Sequence, residues 1–171
     1  DIDIFNYAIS KNVKSILRDP KLAELNISLY PSIKNIVASV ESKNNRKYDA
    51  IFQFTIDSPF RSKIYIDSAI NIMSLFNTEL VLGVREENDL LYQHNGNGLE
   101  TIKANSELRL EREDLFKEVG SMRLIKRDYL FNAEKYPNPK IGHVKLDEKS
   151  SLRINSKLNW EIAKHISNLD I

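Results

Sequence analysis

The spacing of apolar residues divides the chain into alternating helical and extended stretches. From Asp1 to Lys14, Ile2, Phe5, Ala8, Ile9 and Val13 fall on one helical face. Asp1 and Asp3 stand at its amino end, where the helix dipole favours negative charge. Val13 to Leu17 is a short apolar patch that predicts an edge strand, and Pro20 interrupts regular structure after it. From Tyr30 to Lys43, Ile33, Ile36, Val37 and Val40 recur as a single stripe, with Pro31 suited to the first turn. Tyr48 to Thr55, rich in Ala50, Ile51, Phe52 and Phe54, reads as a central parallel strand covered on both faces, although a buried helix segment would show the same run. Pro59 cannot donate to a ladder and disfavours helix at Ser58, so the strand ends there. Ile66, Ala69, Ile70, Met73 and Phe76 form the next helical face, and Leu80 to Val84 is a second buried strand. Strand, helix, strand predicts a right-handed crossover between a parallel pair.

The pattern changes after Val84. Leu90 to Ile102 holds two Asn-Gly pairs between apolar residues, a hairpin signal, and no helix opens behind these glycines as a phosphate loop would need. His94 at its tip has no carboxylate or second imidazole nearby in sequence and reads as an ordinary surface residue. Ser106 to Arg112 and Lys117 to Arg127 mix both signs of charge, the habit of a solvated face, from which one or two arginines can reach a carboxylate or phosphate. Pro137 to Lys140 is a loop and Ile141 to Leu146 a strand. Leu158, Ile162, Ala163 and Ile166 build a last helix with Ser156 as its cap.

Composition narrows the function classes. At 171 residues the chain is expected to be a single domain, with 42% hydrophobic and 29% charged residues, ordinary values for a globular protein. Its 25 basic and 24 acidic residues give a net charge of +1, so no strong field points to nucleic acid or an anionic membrane. The absence of cysteine removes disulfides, thiolate metal sites and thiol nucleophiles. No apolar run approaches the ~20 residues that span a bilayer, and with no signal peptide in view the cytoplasm is the default location. The chain opens at Asp1 without a methionine, and the expectation is that its true start is missing.

Candidate chemistry gathers after the first predicted strand. Asp57, Ser58 and Arg61 fall at its carboxyl end, the edge of an open α/β sheet where ligands bind. The stretch Tyr48-Asp-Ala-Ile, then Ser58-Pro-Phe-Arg61, resembles the YDxIxxLQPTSPxR signature of the acylneuraminate cytidylyltransferases (CMP-N-acetylneuraminate synthetases), with Thr55, Ile56 and Asp57 in place of Gln, Pro and Thr. Arg18, Leu22 and Ala23 resemble the family's Arg-Pro-x-x-Leu-Ala, and Glu118-Val-Gly-Ser-Met-Arg-Leu-Ile125 is similar to its Asn-Gly-Ala strand. Counting back from Gly120 without gaps places Arg109 on the family arginine and Phe116 on its aromatic, while a gapped reading prefers Arg112 with Asp114. Ser151-Leu-Arg-Ile-Asn-Ser resembles the closing Ser-x-Asp-Ile-Asp-Ser-x-x-Asp, with Arg153, Asn155 and Asn159 on the three Asp positions.

The resemblance implies an α/β fold of the nucleotide-diphospho-sugar transferase type: three layers, a mostly parallel sheet and a protruding β-hairpin arm. It implies transfer of CMP from CTP to an acidic nine-carbon sugar with Mg²⁺ as cofactor, and a homodimer joined through the hairpin at residues 88–112. The alternatives are a catalytically impaired member serving as a binding or structural subunit, which Arg153, Asn155 and Asn159 favour, and a nucleotidyltransferase for another sugar. Arg61, which matches the pattern, and Asp57, which departs from it and could supply a substitute carboxylate, are the candidate catalytic residues. Arg18, Ser58, Arg109, Arg112 and Phe116 become candidate substrate contacts, and Asp57 with Asn155 the remaining metal ligands. The family's opening Gly- and basic-rich loop has no counterpart in the sequence. Arg153 brings positive charge to the expected metal position. At a 5 Å separation and an effective dielectric near 20, that opposes each unit of metal charge by about 3 kcal/mol. Asp57 is either a substitute metal carboxylate or a cap for its own turn.

Overall fold

The structure, a computed structural model, describes residues 1–23, 28–102 and 115–169. Asp1–Asp49 with Arg127–Tyr136 make one compact unit, and Ala50–Lys126 with Pro137–Ile171 make another.

In the first unit, Asp1 caps α1 (Ile2–Ser10), its Oδ1 accepting the N–H groups of Asp3 at 2.9 Å and Ile4 at 3.4 Å. The helix stops short of the apolar spacing because Asn12 turns left-handed at φ 62°. The edge strand expected at Val13–Leu17 is absent. That segment is irregular, with Val13, Ile16 and Leu17 exposed, since a short apolar run makes a strand only where a ladder partner meets it. α2 (Leu29–Asn44) follows its predicted stripe, with Pro31 in the first turn, Val37 buried and left-handed Asn45 ending it. Arg127, at the start of α4 (Arg127–Phe131), grips buried Glu41 with Nε on Oε1 at 2.6 Å and Nη2 on Oε2 at 2.8 Å. The Tyr48 N–H also donates to Oε1. The Arg127 hydrogen bonds first, and the Tyr48 N–H second, hold the Glu41 carboxyl down at about 2.

The second unit holds the sheet. Its strands are β1 (Ala50–Phe54), β2 (Leu80–Glu87), β5 (Leu115–Lys126) and β6 (Ile141–Lys145), in the order β1-β5-β2-β6. β5 runs antiparallel to both neighbours, while β2 and β6 are parallel. β1, β2 and β6 therefore point the same way, and the predicted α/β class with a mostly parallel sheet holds. Two expectations need correction. β1 and β2 share a direction, as the crossover requires, but they are not hydrogen-bonded, because β5 lies between them. β1 is also not a doubly covered central strand: it is an edge of the described sheet, with Phe54 exposed. β5 takes the interior because it carries more buried apolar side chains, namely Val119, Met122, Leu124 and Ile125.

The core forms around Ala69, Val81, Met122, Leu124 and Val144. Full burial of side chains such as Val81 and Ile125 contributes about 1.5–3 kcal/mol each. α3 (Lys63–Phe76) covers this core with Tyr65, Ile66, Ala69, Ile72 and Met73. Ile70 and Phe76, expected inside, are exposed, so the packed face is rotated from the predicted one. α5 (Lys157–Asn168) starts where predicted, with the Ser156 hydroxyl accepting the Asn159 N–H at 3.1 Å.

The hairpin pairs β3 (Tyr92–His94) with β4 (Leu99–Thr101). Its turn is held by Asn95 Oδ1, which accepts from Asn97 and Gly98, and by His94 Nδ1, which accepts from Gly96 at 3.0 Å. His94 is thus a turn residue. The remainder of the expected 88–112 arm, from residue 103, lies outside the described residues. Among the described residues no helix is long and apolar enough to cross a membrane.

Candidate active site

Because β1, β2 and β6 run the same way, their carboxyl ends lie along one edge of the sheet, beside the amino end of antiparallel β5. The loops after β1 and β6 meet there. Arg61 folds back to donate to the Thr55 carbonyl, and its guanidinium lies 5.0 Å from the centre of the Phe54 ring. Ser58 is fully buried, its hydroxyl 3.4 Å from that of Thr55 and its N–H directed at the Thr55 carbonyl. It braces the turn and does not face solution.

Asp57 and Arg153 form the centre of this edge. Arg153 Nε and Nη2 both donate to Asp57 Oδ2, at 2.9 and 2.5 Å. The backbone zips the two loops together alongside, with the Ile154 N–H on the Asp57 carbonyl at 2.8 Å. Between the pairs Leu82–Arg123 and Val84–Glu118, β5 carries Val119–Met122 against the single residue Gly83, and Gly120 sits in this bulge at φ 67°. An added Cβ there would lie 3.7 Å from Arg153 Nη1, so the guanidinium rests over the glycine. Asn155 and Asn159 complete the unit. Asn159 Nδ2 donates to Asn155 Oδ1 at 2.7 Å and to the Arg153 carbonyl at 2.8 Å. The three residues that depart from the resembled Asp positions are therefore mutually bonded, and the acid in the neighbouring loop matches the new cation.

The Asp57 carboxyl is held below the ordinary carboxylate range, first by the Thr55 hydroxyl close by and then by the Arg153 guanidinium. Its Oδ1 is buried with no aligned donor, so Thr55 acts there as a nearby dipole and not as a full hydrogen bond. A resident Mg²⁺ does not fit this donor set. Asp57 Oδ2 already receives two N–H groups, Oδ1 is buried, Asn155 Oδ1 is taken by Asn159, and a fixed guanidinium stands beside them. Among the described residues there is also no group of three His, Asp or Glu side chains placed to hold a metal ion.

Two clefts open along this edge. One, of about 450 Å³, is lined by Arg153, Asn155 and Asn159 together with the ends of β2 and β5. Among the described residues it presents five carboxylates (Glu86, Glu87, Asp89, Glu118 and Glu148) against Arg85, Lys117 and Arg153. The other, of about 590 Å³, lies between the amino end of α3 and the turn after β6. It presents Arg61, Lys63 and Lys149 against the single carboxylate of Asp147.

The remaining predicted residues scatter. Arg18 is exposed and belongs to the first unit. Arg109 and Arg112 lie outside the described residues. Phe116 stacks at a tilt on His143, with ring centres 4.6 Å apart, and Lys145 lies over its face at 5.3 Å, so its ring is part of the sheet surface. Sequence reasoning passed over Lys63 and Lys149. Lys63 carried a signal, because a cation in the first turn of a helix runs against the dipole. Lys149 carried none, since only the return of the chain after β6 brings it to α3.

No protein-family model and no curated protein matches the sequence. Solved structures do. The chain is similar to 4-diphosphocytidyl-2C-methyl-D-erythritol synthase of Anaerococcus prevotii, with a TM-score of 0.67 and 11% identity over 98% of this chain and 77% of that one. It is also similar to 2-C-methyl-D-erythritol 4-phosphate cytidylyltransferase of Thermus thermophilus, with a TM-score of 0.52 and 10% identity over 82% of this chain and 69% of that one. At these identities the likeness establishes a common fold, and the fold is one that cytidylyltransferases use.

Proposed function

We propose that the chain is a cytidylyltransferase that moves CMP from CTP to an acidic, sialic-acid-like sugar. The observation that supports CMP transfer is the fold shared with two cytidylyltransferases over most of the chain. The acidic sugar rests on the sequence resemblance around Ser58-Pro-Phe-Arg61. In the reaction, a sugar hydroxyl oxygen attacks the α-phosphorus and loses its proton to solvent water. The bond from that phosphorus to the bridging oxygen breaks, and pyrophosphate departs with the electron pair. Catalysis of this kind is mostly positioning and charge stabilisation. Arg61, fixed by Thr55 and Phe54, supplies a pre-oriented guanidinium for the phosphates. Asp57 is a positioning residue: paired with Arg153 and held ionised, it is a poor proton acceptor and orients the loop after β6. Mg²⁺ enters as the counter-ion of the nucleotide, so that magnesium-CTP is the substrate. The exposed β3–β4 hairpin is the proposed contact for a second copy.

The test is pyrophosphate release by the protein with CTP, Mg²⁺ and a panel of nine-carbon sugar acids. Release that needs both CTP and one of the acids is the expected result. Folded protein that releases none overturns the reading for those substrates, and release with a neutral sugar phosphate would move the acceptor class.

A further inference from the structure

We propose that the cleft between the amino end of α3 and the turn after β6 binds the phosphate chain of the nucleotide, with Arg61, Lys63 and Lys149 as its cationic contacts. This deepens the proposed function and rests on it only for the identity of the nucleotide.

Charge is the first argument. Three cations line the cleft against one carboxylate, Asp147, which feels the charge of Lys149 but whose hydrogen bonds serve the fold. Asp147 accepts the Ser150 N–H at 2.6 Å and the Tyr65 hydroxyl at 2.9 Å, bonds that hold its own turn together and tie it to α3. The second argument is orientation. The Arg61 guanidinium is fixed by Thr55 and Phe54, and the Lys149 ammonium lies 5.6 Å over the Phe60 ring, so two of the three cations are positioned before any ligand arrives. The third is the cost to the fold. Lys63 is almost fully exposed, with Asp67 on its own helix as a weak partner at 3.9 Å, and it stands where the helix dipole disfavours positive charge. Folding gains little from a cation there, whereas a bound polyanion gains directly. The neighbouring cleft is the natural rival. Glu118 and Glu86 there are paired with Arg123 and Lys145, but Glu87 and Asp89 add further negative charge, which makes it the poorer host for a triphosphate.

Inorganic tripolyphosphate titrated into the intact chain by calorimetry tests the site. The wild type should bind, with affinity falling as salt rises. Lys63→Gln and Lys149→Gln should each weaken binding about tenfold, the scale of one charge-assisted contact, and more when combined. Arginine at either position should restore most of it. Lys164→Gln, on α5 and paired with Glu161, removes the same charge from another surface and should change nothing. Equal affinity in the Lys63/Lys149 double variant, no binding by the wild type, or an equal loss in Lys164→Gln overturns the site. Failure here and failure of the transferase reading are separable. A double variant that releases pyrophosphate with unchanged KM for CTP removes this site and leaves the enzyme. Tripolyphosphate binding that depends on Lys63 and Lys149, without turnover on any sugar, removes the enzyme and leaves the site.

Discussion

The two clefts at the sheet edge share a wall and carry opposite charge. Along the turn from Asp147 to Asn155, Asp147, Lys149 and Ser150 line one cleft, while Glu148, Ser151, Leu152, Arg153 and Asn155 line the other. Each contains three cations among the described residues, so the number of basic side chains does not distinguish them. What differs is the number of carboxylates set against them, five in one cleft and one in the other. Arg153 is committed to Asp57, and Arg85 leans on Glu148 at 3.9 Å. Glu118 and Glu86 pair with Arg123 and Lys145, and Glu87 and Asp89 add further negative charge. In the other cleft the one acid, Asp147, is bonded to Ser150 and Tyr65 and also feels the charge of Lys149. A basic residue in a candidate site is therefore weak evidence for an anion until its partner is known.

The severest test of that difference is Arg153→Asp, which replaces the matched pair by two adjacent carboxylates. It should lower stability by about 2–3 kcal/mol, because the pair is only partly buried, with Arg153 45% and Asp57 24% exposed, and like-charge repulsion is added. Millimolar Mn²⁺ or Ca²⁺ should raise the melting temperature of the variant more than that of the wild type, because only the variant sets two carboxylates side by side at positions 57 and 153. A variant as stable as wild type would mean that Asp57 and Arg153 do not depend on each other. Arg153→Gln is milder. It leaves a partly exposed Asp57 unpaired and should cost about 1–2 kcal/mol in urea denaturation, between the values for exposed and buried pairs.

The same pair sets a pH dependence. Asp57 is lowered from the ordinary 3.8, so its ionised form stabilises the folded state. That contribution is complete above the unfolded value and is lost as pH falls through the folded one. The stability difference between wild type and Arg153→Gln should therefore be full at neutral pH and shrink as the solution is taken below 3.8. A difference that persists in strong acid would assign the effect of Arg153 to packing over Gly120 instead of charge.

Much of this was legible in the sequence, and the limits have physical causes. Helix positions followed from apolar period and caps, as with Pro31 in α2 and Ser156 before α5, because those signals are local. The position of β5 between β1 and β2 was not, since strand neighbours are chosen by long-range packing that spacing does not encode. At the site, Asp57 and Arg153 each looked like a loss taken alone, an acid out of place and a cation at a metal position. They are separated by 96 residues, and only the fold shows that they compensate. Ser58 was singled out because it belongs to a motif, yet its complete burial makes it a brace.

The smallest expected effect bears most directly on the shared wall. Glu148 lines the acidic cleft, but its neighbour Lys149 lines the basic one, so its charge is felt in both. Its side chain is 92% exposed and its contact with Arg85 is long, so Glu148→Gln should leave stability unchanged. It removes a negative charge near the proposed phosphate site, however, and tripolyphosphate should bind up to about threefold more tightly at low salt, with the gain fading as ionic strength shortens the Debye length. An unchanged affinity would mean that the turn screens the clefts from each other. A weaker affinity would mean that Glu148 holds the turn in its binding shape, and the charge comparison would then have to give way to one of geometry.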